Sequence, residues 1–254
     1  MIGLHQTNPD ELRDAGVLSN ALVALGALAP LADPVAARRP GAVAIPDDGL
    51  GSADPLVELA TTDRITLLNL YRFDPLGGPD GWTGTDDRMW LRAEVAGRVT
   101  AAAESLPDGF GLALYDTWRS PETVRALYEH FYGPDSTLTP GFLADPDDPS
   151  IVAPHTTGAA VDLTLTWRGT ALALGTVFDD FTDASHLRSL EHLADDLTRP
   201  GWLAANLRRL LHRHLAEQGF VAMTEEWWHV SWGDQDWAAV NDLPTARYGA
   251  ALPA

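Results

Sequence analysis

The sequence predicts an α+β fold in which a small antiparallel sheet is flanked by helices. Two patterns carry this expectation. Helical periodicity dominates the first half of the chain, and strand-like runs joined by a turn dominate its end. A change of composition near residue 55 further divides the chain into an N-terminal helical and loop extension (1–55), packed on a main domain (56–254).

The elements follow in order. Asp10–Leu31 reads as one or two short helices, stopped where Pro30 and Pro34 intervene. Residues 33–55 repeat Pro, Gly and Asp and form a loop-rich connector. Arg64–Tyr71 (RITLLNLY) is a strand, followed by a Gly/Pro-rich loop from Asp74 to Gly84. Residues 88–106 form one helix, with Leu91, Val95 and Val99 on one face. Residues 109–116 (GFGLALYD) are a buried strand. Ser120 then caps a helix that has Pro121 at its first position. A long loop fills 133–154, and 158–167 (GAAVDLTLTW) is a β-run that alternates after Asp162. Leu203, Leu207, Leu210, Leu211 and Leu215 mark an amphipathic helix closed by Gly219. On it, His212 and His214 are expected to be solvated. "FVAM" and "WWHVSW" make a final hairpin, its tryptophans serving core packing and pocket walls.

Composition narrows the function. The 254 residues include no cysteine, which excludes disulfides, thiolate nucleophiles and cysteine-ligated metals, so any ion must be held by His, Asp and Glu. A formal charge of −19 repels phosphate backbones and anionic lipid, so neither nucleic acid nor membrane is an expected partner. No apolar run reaches the roughly 18 residues that span a bilayer. The first residues lack a basic start followed by an apolar stretch, and a cytoplasmic location is expected.

Two segments carry chemistry: PHTTGAAVDLTL (Pro154–Leu165) and EEWWHVSWGD (Glu225–Asp234). Gly158, between His155 and Asp162, permits a tight turn that lets imidazole and carboxylate converge. Glu226 lies three residues before His229 and reaches the same site only if the chain bends there. His155, Asp162 and His229 form a three-ligand N/O set that suits catalytic zinc, with a fourth position left for water. Glu226 is the candidate general base and acid. Arg119, at a strand end, is placed to stabilise an oxyanion, with Asp116 holding the guanidinium. The plainer alternative makes Arg119 and Asp116 a structural ion pair.

Together DTWRSP, HTTGAAVDLTL, GTVFDDFTDASH and EEWWHVSWGDQDWA resemble the zinc peptidase family that contains the D-alanyl-D-alanine dipeptidases of the VanX type. The resemblance runs in order from about Asp54 to Gly249. It implies that the sheet bears a zinc site of His155, Asp162 and His229, with Glu226 as catalytic base and Arg119 stabilising the transition state. It also implies that Asp179 lies near the substrate's ammonium group. Read from its residues alone, the Phe-Asp-Asp step at Asp179 is equally a helix cap or a solvated turn. The chain departs from the family pattern at Ala153, where the best-known members carry Ser, and around Ile65–Asn69, where a pocket tyrosine has no evident equivalent. The expected activity is zinc-dependent hydrolysis of a dipeptide, D-Ala-D-Ala or a close analogue. The alternatives are a specialised small peptide or a cell-wall peptide as substrate, or a non-catalytic zinc module with a closed four-ligand site.

Overall fold

The protein's structure is a computed structural model describing residues 6–36, 39–46, 54–73, 78, 80–134, 136–138 and 142–253. Its centre is a sheet in the order β2-β4-β5-β8-β7, formed by Ile65–Leu67 (β2), Phe110–Asp116 (β4), Ala160–Trp167 (β5), Val221–Ala222 (β7) and His229–Ser231 (β8). The short strand Thr170–Ala171 (β6) folds back on β5. The β2–β4 pair is parallel and the other pairings are antiparallel. The helices flanking this sheet complete the expected α+β architecture. Among the described residues, no helix is long and apolar enough to cross a membrane.

β4 and β5 are buried at every position because they lie centrally with packing on both faces. Leu112, Leu114, Leu163 and Leu165 enter the main core, while Thr164 satisfies its hydroxyl by donating to the Leu172 carbonyl at 2.8 Å. The helix Pro121–Phe131 (α4) begins as its sequence requires. Pro121 occupies the first turn, and the Ser120 hydroxyl accepts from the Thr123 amide at 3.0 Å.

Two expected elements are corrected. Residues 88–106 are not one helix: Trp90–Arg92 is a strand (β3) that pairs antiparallel with Leu56–Glu58 (β1), and the helix (α3) runs only from Ala93 to Ser105. All three β3 residues are buried, so tertiary pairing overrides the helical spacing of Leu91. The Asp54 carboxylate then accepts from the Glu94 amide at 3.1 Å and starts the helix. The expected strand 64–71 is likewise cut short. Asn69 turns at φ 45°, its amide donating to the Asp86 carbonyl at 2.9 Å, and Leu70–Phe73 forms a short helix (α2). Part of the expected 74–84 loop, residues 74–77 and 79, lies outside the described residues.

The helix Trp202–Glu217 (α5) buries the predicted leucines. It also buries four polar residues, Asn206, Arg208, Arg209 and His212, which corrects the reading of His212 as solvated. His212 Nε2–H donates to the Trp227 carbonyl at 2.8 Å, and burial pushes its pKa down to about 4. Arg208, 1% exposed, donates to the carbonyls of Leu174, Ala184 and His186 and to the Ser189 hydroxyl at 2.7–3.0 Å. Among the described residues no carboxylate pairs with it, and burial lowers its pKa to about 9. His214 is half-buried, with Nδ1 2.8 Å from the Ser105 hydroxyl.

The N-terminal stretch is tied to this body. Leu18 and Leu22 of the helix Ala15–Ala24 (α1), together with Leu28, enter the main core, and Asp14 accepts from Trp167 and Arg168 at 2.9 Å. The last helix, Gln235–Val240 (α6), is capped by Asp234, which accepts from the Trp237 amide at 2.8 Å.

Candidate metal centre and active-site cleft

Strand register brings the first acidic groups together. Asp162 on β5 lies directly between Asp116 on β4 and His229 on β8, so one row across three strands presents two carboxylates and an imidazole. His155 enters from a 3-10 turn, Pro154–Thr157, that ends at Gly158 with φ 71°. A side chain there would be strained and would collide with Leu56, so glycine is required for the turn that aims His155 back at β5.

His155 Nδ1–H donates to the Thr117 carbonyl at 2.6 Å, which leaves Nε2 facing the other two residues. From Nε2 the distances are 3.2 Å to His229 Nδ1 and 3.3 Å to Asp162 Oδ2, and His229 Nδ1 is 2.9 Å from Asp162 Oδ1. Three buried ligand atoms thus lie within 4.8 Å of one another. A tetrahedral ion with bonds of about 2.0–2.1 Å needs ligand atoms about 3.3 Å apart, so this trio fits one metal ion. Burial raises the Asp162 pKa, but His155 and His229 outweigh it and hold the carboxyl well below its usual range.

Glu226 lies at the predicted bend. The His229 amide donates back to the Glu226 carbonyl at 3.3 Å, and the Glu226 carboxylate comes within 3.9 Å of His229 Nδ1. Burial, then Asp162 and Asp179, raise its pKa well above the carboxylate range. Arg119 donates from Nε and Nη2 to Asp116 Oδ2 at 2.9 and 2.8 Å and lies 3.8 Å from Asp162 Oδ2. It is therefore both paired with Asp116 and turned toward the metal trio. Burial works to lower its pKa, yet Asp116 and its other neighbours raise it overall, so it stays charged.

Asp179 joins the same cleft at φ 58°. Its carboxyl group faces Tyr71, and Oδ2 is buried with no hydrogen-bond partner among the described residues. Burial, then Asp162, raises its pKa well above the usual range. Tyr71 also stacks under Arg119, with the guanidinium 4.6 Å from its ring centre. Sequence reading found no tyrosine for this pocket around Ile65–Asn69. The cleft tyrosine lies two residues further on, presented by the α2 turn that cut the expected strand short. Trp227, Trp228 and Trp232 are buried core residues and do not line the cleft.

The cleft has a volume of about 410 Å³ and contains His155, Asp162, His229, Glu226, Arg119, Asp179 and Tyr71 in its lining. All six residues singled out from the sequence for metal, catalysis or substrate meet in this one cavity.

Similarity to known proteins agrees with this geometry. The sequence model of the peptidase M15 family, described as D-ala-D-ala dipeptidase, matches residues 83–245. A D-alanyl-D-alanine dipeptidase of Escherichia coli (strain K12) is 29% identical over 136 residues, covering 52% of this chain and 62% of that protein. One of Enterococcus faecium is 28% identical over 155 residues, covering 56% and 72%. One of Synechocystis is 32% identical over 96 residues, covering 36% and 39%. The chain thus spans less than two thirds of two of these three relatives. With the family match extending over more than half of its residues, the chain belongs to the D-Ala-D-Ala dipeptidase family of M15 peptidases.

Proposed function

We propose that the protein hydrolyses free dipeptides, D-Ala-D-Ala or a close analogue, at a zinc ion held by His155, Asp162 and His229. The observation that carries this reading is the convergence of three buried ligand atoms, with a carboxylate 3.9 Å from one of them, inside an accessible cleft. The choice of zinc follows from a His/Asp/His donor set without thiolate. When bound, the ion would polarise the scissile carbonyl and lower the pKa of water toward neutrality.

The chain's own residues supply the rest. Glu226 takes the proton of the attacking water and returns it to the departing amine. Burial and its acidic neighbours raise its pKa, and a dication held beside it would offset them, leaving the carboxylate form available as base. Arg119, held by Asp116, donates toward the developing oxyanion. The free Oδ2 of Asp179 pairs with the substrate ammonium, which gives a buried acceptor the partner it otherwise lacks. A site with these parts requires a charged N-terminus, and D-Ala-D-Ala is suggested by the names of the relatives. The proposal includes a cytoplasmic location, where a free dipeptide could be removed before it enters cell-wall precursors.

The test is a panel of L,L-, L,D- and D,D-dipeptides, free and N-acetylated, against zinc-loaded and chelator-stripped protein. Turnover of free dipeptides by the loaded form supports the reading. Equal turnover of acetylated substrates would remove Asp179 from it, and zinc-loaded protein inert toward every peptide would leave the non-catalytic zinc module as the explanation.

A further inference from the structure

The cleft runs across the sheet, and its two sides come from different parts of the chain. Tyr71 follows β2 and Arg119 follows β4; the ligands Asp162 and His229 sit on β5 and β8; Val221, Ala222 and Met223 line the cleft from β7 and the residue after it. Neighbouring strands lie about 4.8 Å apart, so the β7 side stands beyond the ligand trio from Tyr71 and Asp179. A dipeptide whose ammonium rests on Asp179 therefore lays its second residue toward β7.

That side is completed by residues outside the 83–245 family match. Pro34, Ala36 and Pro40 line the cleft together with Ile151, Ala239 and Val240. The 3-10 turn Pro40–Ala42 packs on α6, and α6 on β7. The docking is specific. Gln235, 4% exposed, directs its amide nitrogen at the carbonyls of Pro40, Val43 and Ser150, at 3.2, 2.9 and 3.0 Å, and accepts from the Val152 amide at 2.8 Å. Val43 is buried in a small cluster with Ala238, Ala239 and Ala246. Ala44 exchanges backbone hydrogen bonds of 2.9 Å with Pro244 and Ala246. One buried amide thus ties the N-terminal stretch to α6 and to the 150–152 loop that leads into His155.

We propose that Pro34, Ala36 and Pro40 form the specificity-determining wall for the second residue of the substrate, with Gln235 anchoring its Pro40 end. The wall selects an uncharged side chain of limited size and blocks a peptide that continues past that residue. Gln235 is a positioning residue in this scheme and touches no reacting atom. The inference rests on the dipeptidase reading above.

The experiment compares kcat/KM for D-Ala-D-Ala, D-Ala-D-Leu and the tripeptide of D-Ala in the wild type, Gln235→Ala and Ala36→Trp, with metal content and thermal melting of each. Gln235→Ala should raise the tripeptide-to-dipeptide ratio about tenfold while the metal is retained, because the wall loses its tether. Ala36→Trp, at an exposed position on the same wall, should lower the D-Ala-D-Leu to D-Ala-D-Ala ratio by about tenfold. If Gln235→Ala fails to fold, the Ala36→Trp ratio decides. Unmoved ratios in folded variants, with dipeptides still cleaved, overturn this inference alone. A wild type that cleaves no free dipeptide overturns the dipeptidase reading and the wall with it.

Discussion

Asp116→Asn isolates the link between the strand row and the arginine. Asp116 Oδ2 accepts both guanidinium bonds, at 2.9 and 2.8 Å, and also lies 3.2 Å from His155 Nδ1. The amide keeps an acceptor oxygen and the side-chain shape but removes the charge. Hydrogen bonds to charged partners are worth about 1 kcal/mol more than neutral ones, so two bonds lose about 2 kcal/mol, or about thirtyfold in kcat/KM. Loss of a group that orients a metal ligand typically costs about 10- to 100-fold, the same range reached independently. The released guanidinium has Asp162 Oδ2 as its next acceptor, 3.8 Å away, so zinc affinity should also fall. The assay is kcat/KM on a free dipeptide at saturating zinc, beside a chelator-competition measurement of zinc affinity. If both stay at wild-type values, Asp116 holds neither Arg119 nor His155 in a working position.

Glu226→Gln should lower kcat by about 10²- to 10⁴-fold with zinc content retained, since the amide fills the same space and accepts no proton. Normal turnover by the zinc-loaded variant would assign the base elsewhere. His155→Ala should abolish stoichiometric zinc binding, read by metal analysis after dialysis; equimolar zinc refutes its place in the trio. Asp179→Asn should raise KM for free dipeptides far more than it lowers kcat, and should narrow the preference over N-acetylated substrates. Burial and the neighbouring Asp234 push the Asp236 pKa up to about 7, above its unfolded value of about 3.9. The folded state therefore holds the extra proton between these values, and stability contributed below about pH 4 is lost as pH rises toward 7. Denaturant titrations of Asp236→Asn across that window should show a shallower decline than wild type, and parallel declines would contradict the assignment.

The site was legible where its chemistry is local in sequence. His155, Gly158 and Asp162 fall within eight residues, and Glu226 and His229 within four, so spacing makes each motif visible, and the resemblance to a known family joins the two into one site. Asp116 beside Asp162 depends on strand register across a bulge near residue 115, which no local pattern encodes. Tyr71 was hidden because Asn69 ends the strand in a left-handed conformation, turning an apparent β-run into a helix turn. An Asn before a Leu-Tyr pair was the available signal, since Asn tolerates that conformation. β3 reads as helix because Leu91, which pairs across to β1, also fits the four-residue spacing of Val95 and Val99 in the helix behind it. His212 and Arg208 are unreadable for a different cause: all but one of their acceptors are main-chain carbonyls of other segments, and carbonyls leave no trace in side-chain composition.

Arg208 also bears on how the molecule tolerates mutation. The segment 174–189 carries Asp179 on an irregular path, and four of its acceptors are satisfied by one guanidinium on α5 rather than by a strand partner. Three of those four are main-chain carbonyls, which every residue type supplies equally. Side chains along the segment can therefore be exchanged to reshape its outer surface without disturbing the bonds that fix its course. The constraint is concentrated at a single codon far away in the chain, and a change of Arg208 would release all four acceptors together. Saturation mutagenesis would show the exposed positions of the segment, such as Val177, Thr182, Asp183 and Arg188, as permissive and Arg208 as nearly invariant, while Asp179 and the buried Phe178 and Ser185 stay constrained by their own contacts.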